Sequence, residues 1–200
     1  QTFLLQFNVN RIKHEATGKS DEAQHEATHM AILNKKFRQA INFGFDRHTY
    51  MTQQFGEEFA DTDIRNTLVP PEYVNVGEET FGEAVERHLK EMDPELYGDI
   101  DLTDGQDAFY NPELAAKLMA EAREELEAEG VEFPIQLDLP VLESVPNAVN
   151  QAKSLKATVE DSLGSDNVVI NPVLLNQDAY YAATFDATVA LSLIHISAPT

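Results

Sequence analysis

From Ala31 onward the apolar residues fall at helical spacing. Ile32, Phe37, Ala40, Ile41, Gly44 and Phe45 share one stripe, which predicts a helix. Before it, residues 2–9 (TFLLQFNV) read as a strand. Residues 13–30 are polar and charged and include Gly18, which predicts an exposed loop leading into that helix. Asp46 is placed to cap a further turn through Tyr50, Met51 and Phe55. Residues 56–79 predict a loop whose stiff centre is LVPPEY, because paired prolines set φ and deny a helix. Thr80-Phe-Gly-Glu83 has the spacing of a capping box. It opens a predicted helix with Phe81, Val85, Leu89 and Met92 inward. Residues 93–110 follow as an acidic loop. Asn111-Pro112 is a helix start, with Asn as N-cap and Pro first in the helix. Leu114, Leu118, Ala122 and Leu126 form its stripe, and Gly130 ends it.

The last third switches period twice. Phe133 to Val141 alternates, with Ile135, Leu137 and Leu139 pointing one way. Asn147 to Leu163 is amphipathic at helical spacing, with Val149, Ala152, Leu155, Val159 and Leu163 inward and Gly164 as terminator. Val168 to Leu175 is a second strand. Strand, helix and strand in this order predict a βαβ unit with parallel strands. Ligands of such sheets sit beyond the carboxyl ends of the strands, here 140–144 and 175–178.

Composition narrows the partners more than the fold. Two hundred residues suffice for one domain burying roughly 70% of its unfolded surface. Thirty-five acidic against fourteen basic residues give a formal charge of −21, a field that repels nucleic acid and anionic lipid. The chain has no cysteine, which excludes disulfides, thiolate nucleophiles and zinc–cysteine sites. No run approaches the ~18 apolar residues of a membrane span. The sequence opens on Gln1 with no signal-peptide pattern, from which a start inside a longer protein is expected.

Two stretches suggest metal chemistry. His25-Glu26-Ala27-Thr28-His29 has the spacing by which a zinc peptidase helix presents two imidazoles and a general base. No motif supplies the third ligand, and Glu57 and Glu58 lie in a loop without a helical frame. A solvated turn is the simpler reading, and a metallopeptidase on His25, Glu26 and His29 is the alternative function. Asp99–Asp107 (DIDLTDGQD) resembles a calcium loop, but an EF-hand begun at Asp99 would need its glycine at 104 and a bidentate Glu at 110, where Asp104 and Tyr110 stand. A hydrated acidic loop is expected. His88, between charged neighbours, reads as surface, and the pair Tyr180-Tyr181 as packing. No nucleophile elbow, Walker loop or GxGxxG occurs, and no catalytic residue, metal ligand or cofactor is assigned.

Residues 34–51, NKKFRQAINFGFDRHTYM, resemble the hallmark helix of family-5 extracellular solute-binding proteins. Phe37, Arg38, Ala40, Ile41, Asp46 and Arg47 match it in place. LLQFNVNR is similar to the strand that leaves the family's hinge, and RNTLVPPEYV to the loop after the hallmark helix. The order of the QD-F-N-P segment, EAEGVEFPIQLDLPV and SLGSDNVVI is also similar. The likeness extends over residues 2–186 and is to oligopeptide-binding lipoproteins of Gram-positive ABC importers.

That resemblance implies an α/β chain forming a partial lobe of a type II periplasmic-binding-protein fold. It would be a fragment of the large, peptide-binding lobe over residues 1–186, with the βαβ unit at about 133–175 and helices flanking it. The implied function is peptide capture for ABC-transporter uptake, without catalysis or cofactor. The implied partners are oligopeptides and a membrane permease, with a monomer expected. The implied location is extracytoplasmic, at the cell surface, through an N-terminal lipid on a longer parent. Gln6, Asn8 and Asn10 occupy the strand that lies by the cleft in the family. Alternation would send their amides to one face, where amides both donate to and accept from a peptide backbone. Asn176, at the end of the second βαβ strand, is a further candidate. After Phe185-Asp-Ala-Thr188 the likeness stops, and VALSLIHISAPT resembles translated adapter sequence. Residues 187–200 are therefore expected to be a foreign tail.

Overall fold

The computed structural model describes residues 4–11, 14, 17–184 and 194–197. Its elements are β1 (Leu4–Phe7), α1 (Glu22–Leu33), α2 (Lys35–Gly44), α3 (Arg47–Phe55), a single 3-10 turn (Asp61–Asp63), β2 (Asn75–Val76), β3 (Glu79–Thr80), α4 (Phe81–Met92), α5 (Pro94–Tyr97), α6 (Pro112–Ala128), β4 (Ile135–Leu142), α7 (Pro146–Leu163), β5 (Val168–Leu175), α8 (Gln177–Thr184) and β6 (Ile194–Ser197). They fall into two units. One is built from residues 1–46 and 111–200, the other from Arg47–Tyr110.

The first unit is organised around β4. This strand pairs in parallel with β5, Ile135 opposite Val168 and Leu142 opposite Leu175, so the βαβ unit forms where the alternation predicts it. Ile135, Leu137, Leu139 and Val141 are buried on one face. α7 packs across both strands through Ala152, Leu155, Val159 and Leu163. Lys156 and Glu160 of α7 pin the contact. The Lys156 ammonium donates to the Ile170 carbonyl at 3.0 Å, and the Ile170 N–H donates to Glu160 at 2.8 Å. Gly164 ends α7 at φ +84°, a backbone region that glycine enters freely. The opposite face of β4 is also covered. Asp138 on that face is met by Arg11, Thr17, Gly18 and Lys19, and α1 contacts β4 through the Thr28 hydroxyl, which donates to the Gln136 carbonyl at 2.9 Å. Nearer the carboxyl end, Ala183 of α8 sits on Val173 and Leu175.

Phe37, Ala40, Ile41, Phe43 and Gly44 are buried, and α2 packs against α6 and α7. Full burial of a side chain such as Phe37 or Ile41 contributes about 1.5–3 kcal/mol. Gly44 permits the close approach to α7, since a Cβ there would lie 3.1 Å from Leu163 Cγ. α6 buries Ala115, Leu118, Met119, Ala122 and Leu126, while Leu114 is only partly covered. Asn111 caps it as expected, accepting from the Leu114 N–H at 3.0 Å. The Asn111 N–H itself donates to the Phe43 carbonyl at 2.8 Å.

Several expectations need correction. The stretches expected as loop over 56–79 and 93–110 are not loop throughout, since the first contains the 3-10 turn and β2 and the second contains α5. The stretch 13–30 is not a loop throughout: α1 starts at Glu22, nine residues before the apolar stripe. Asp21 caps it by accepting from the Gln24 N–H, and the Gln24 side chain accepts from the Ser20 N–H at 2.8 Å. The predicted single helix is also divided. Asn34 leaves helical geometry at ψ 122°, ends α1 and caps α2 by accepting from the Phe37 N–H at 3.0 Å. In the second unit, Met92 is 59% exposed because α4 ends with it, so its predicted inward face stops at Leu89.

The second unit has α3, the β2–β3 hairpin turning at Gly77, and α4 with the capping box at Thr80 and Glu83. Gly82 accepts the close approach of Pro71, whose Cβ would lie 2.3 Å from an added Cβ.

The foreign tail was expected over 187–200. Residues 187–193 and 198–200 lie outside the described residues. Residues 194–197 form β6, antiparallel to β1.

Candidate functional site

The carboxyl ends of β4 and β5 close side by side. The Glu143 N–H donates to the Leu175 carbonyl at 2.9 Å, and the chain then enters α7 and α8 respectively. Val145 precedes Pro146 and offers no side-chain cap, so among the described residues no side-chain cap is seen at the start of α7. Val145, Leu174 and Tyr181 are exposed at this end. Tyr180 is partly covered, meets Tyr181 edge-on at 6.0 Å, and has its phenol pKa raised by burial. The tyrosine pair therefore divides, one ring packing and one facing solvent. An apolar rim beside free helix N–H groups can receive an extended chain and donate to its carbonyl oxygens.

Asn176 stands between β5 and α8. Its side-chain oxygen accepts from the Ala179 N–H at 3.0 Å, so it works as a helix cap. Gln6 is exposed on β1. The strand ends at Phe7, and the Asn8 side-chain oxygen accepts from the Asn10 N–H at 3.0 Å. Strand alternation therefore reaches Gln6 but does not extend to Asn10, and Asn8 directs its oxygen into a local turn. Only Asn8 and Asn10 of the four candidates are joined by a hydrogen bond given for the described residues.

The most tightly built polar site was not predicted. Asp138, in the middle of β4, is 0% exposed. Its Oδ2 accepts from Arg11 at 2.5 Å, from the Lys19 ammonium at 2.7 Å and from the Thr17 hydroxyl at 2.7 Å. Its Oδ1 accepts from the Gly18 N–H at 2.9 Å. Gly18 lies so close to β5 that an added Cβ would meet Asn171 Cβ at 3.0 Å. Burial raises the Asp138 pKa, but the charge and hydrogen bond of Lys19 and the bonds from Gly18 and Arg11 outweigh it and hold the carboxyl below 3.8. Burial pushes the Lys19 ammonium down to about 8 against the pull of Asp138. At neutral pH the group is ionised. Such a buried carboxylate is tolerable only with this full set of donors. It fastens the segment after β1 to the sheet. Only its charge in a largely apolar strand marked it, since its partners lie more than a hundred residues away.

The His25–His29 spacing is helical, but the two imidazoles are used differently. His25 turns inward and meets His14 at 4.0 Å between ring centroids, while Glu26 and His29 are exposed. Among the described residues no three His, Asp or Glu side chains gather in a metal-binding arrangement.

In the second unit, the acidic stretch 99–107 is tied internally. Asp107 accepts from the Arg47 N–H at 2.8 Å and its guanidinium at 2.7 Å. Asp101 accepts from the Thr103 N–H, and Asn66 donates to the carbonyls of Thr103 and Gln106. His88 is exposed.

The fold is that of peptide-binding proteins of ABC transporters. The chain superposes over 98% of its length on the substrate-binding domain of an oligopeptide ABC transporter from Bacillus anthracis, covering 29% of that chain with a TM-score of 0.62 at 16% identity. It likewise matches OppA of Listeria monocytogenes bound to peptide, with a TM-score of 0.54 at 19% identity, over 98% of this chain and 30% of that one. In sequence the relatives are closer. The chain is 41% identical to the oligopeptide-binding protein AliB of Streptococcus pneumoniae over 94% of its length. It is 40% identical to AliA of the same species over 93%, and 39% identical to SarA of Streptococcus gordonii over 92%. It is thus a homologue of the streptococcal oligopeptide-binding proteins, and spans 28–29% of their length. No protein-family model matches the chain.

Proposed function

We propose that the chain is part of the large lobe of an oligopeptide-binding protein that hands peptides to an ABC permease. The identity of 41% to AliB over 94% of the chain carries the reading. The proposed place of work is extracytoplasmic, at the cell surface, with the whole protein lipid-anchored and monomeric. Peptides would be taken chiefly by backbone hydrogen bonds, with side-chain identity mattering little. Gln6, Asn8, Asn10 and Asn176 are the proposed contacts. Gln6 has the freest geometry for it, since Asn8 and Asn176 already accept from local amides. The proposed domain division is 1–186 as lobe and 187–200 as foreign tail. No bond-breaking role is proposed.

The test is a chimera in which residues 4–184 replace the homologous segment of AliB. Titration calorimetry with a mixed library of short peptides is expected to show binding. A cooperatively folded chimera that binds no peptide would defeat the proposal.

A further inference from the structure

The His14–His25 contact is unexplained by peptide capture. Their ring centroids lie 4.0 Å apart with planes tilted 49°. The Nδ1 atom of each is buried and has no hydrogen-bond partner among the described residues. His14 belongs to the stretch that carries Arg11, Thr17, Gly18 and Lys19 onto Asp138, and His25 to α1. The pair therefore bridges the fastened segment and the helix behind it.

The charges around the pair come from three places. Arg11 and Lys19 lie on the segment, Glu22 on α1 and Asp138 on β4. For His14, burial acts first and then His25, Arg11 and Lys19 in lowering its pKa, against Glu22 alone. For His25, burial again leads, followed by Lys19 and Arg11, against Glu22 and Asp138. Both imidazoles are thus held below 6.5. The neighbouring cations Arg11 and Lys19 also make the pair a poor cradle for a metal ion.

We propose that His14 and His25 form an acid-operated catch: while both rings are neutral the segment stays fastened to β4 through Asp138, and protonation of the pair lets it go. Two imidazolium charges 4.0 Å apart, beside Arg11 and Lys19, repel one another and must be resolvated. Letting go separates the rings and opens the Gly18–Asp138 hydrogen bond. The sign follows from linkage. The folded pKa values are depressed, so the unfastened form binds more protons below 6.5. Fastening is strongest above that pH and weakens as pH falls. Asp138 is held below 3.8 and stays ionised at pH 5, so the carboxylate that fastens the segment keeps its charge through this window.

Hydrogen exchange of the Gly18 amide in the whole 200-residue chain reads the catch directly. Between about pH 7 and pH 5, corrected for the intrinsic rate, its protection is expected to fall roughly tenfold for each pK unit of imidazole depression. In a His14→Phe/His25→Phe variant, which keeps two rings without the charge, protection is expected to be the same at both pH values. Wild-type protection that does not change, or equal loss in the variant, overturns the proposal. Should the variant not fold, NMR titration of the wild-type imidazoles decides. Both are expected to titrate below 6.5, and either one titrating at or above that value overturns it.

Discussion

At the scale of the residue, Asp138 shows what a period-two pattern leaves out. The alternation of β4 places Gln136 and Asp138 opposite Leu137 and Leu139, and an acidic side chain there is most simply read as facing water. Arg11, Thr17, Gly18 and Lys19 cover it instead, and nothing local announces partners so remote in the chain. Removing the carboxylate strands two buried cations. Asp138→Ala is expected to lose about 3–5 kcal/mol at pH 7, measured by urea unfolding. A variant as stable as wild type would contradict the role given to it. The acid limb gives a second check. Because the folded carboxyl lies below 3.8, the stability it confers is present above that pH and drains away as pH drops through the folded value. In Asp138→Asn that limb is expected to flatten.

At the scale of the element, the legible parts were those with their own start and stop signals. Asn111-Pro112, the Thr80–Glu83 capping box and the Leu163-Gly164 terminus all fall where the sequence places them. α1 was missed because it buries only Thr28, Ala31 and Ile32 and so carries almost no apolar stripe. Its start was written all the same, in Ser20-Asp21 followed by Gln24. Asn34 was read as helix interior, although an Asn between two periodic stretches also suits a break with a new cap. Gly164 makes the α7 terminus testable. A Cβ at this position would stand 2.6 Å from Asp166 Oδ1 at a φ of +84°. Gly164→Ala is expected to lower stability by about 1–3 kcal/mol, read as a shifted denaturant midpoint with unchanged slope.

At the scale of the molecule, the sheet and its crossover were legible because each strand and helix keeps a clean period. The amide candidates are harder to read, because Asn and Gln are common and serve turns and caps as readily as ligands, as Asn8 and Asn176 do. The broken layout of the first unit has a consequence of its own. The N–H of Asn111 rests on the carbonyl of Phe43, so the two ends of the excursion 47–110 meet in adjoining backbone. Such a layout behaves as a cassette slot. A bridge of about three residues from Asp46 to Asn111 is long enough to close it. A chain shortened in this way is expected to keep one cooperative thermal transition by circular dichroism, and a featureless melt would refute that. A slot of this kind lets the length and surface of the insert vary while the parallel β4–β5 pair keeps its register.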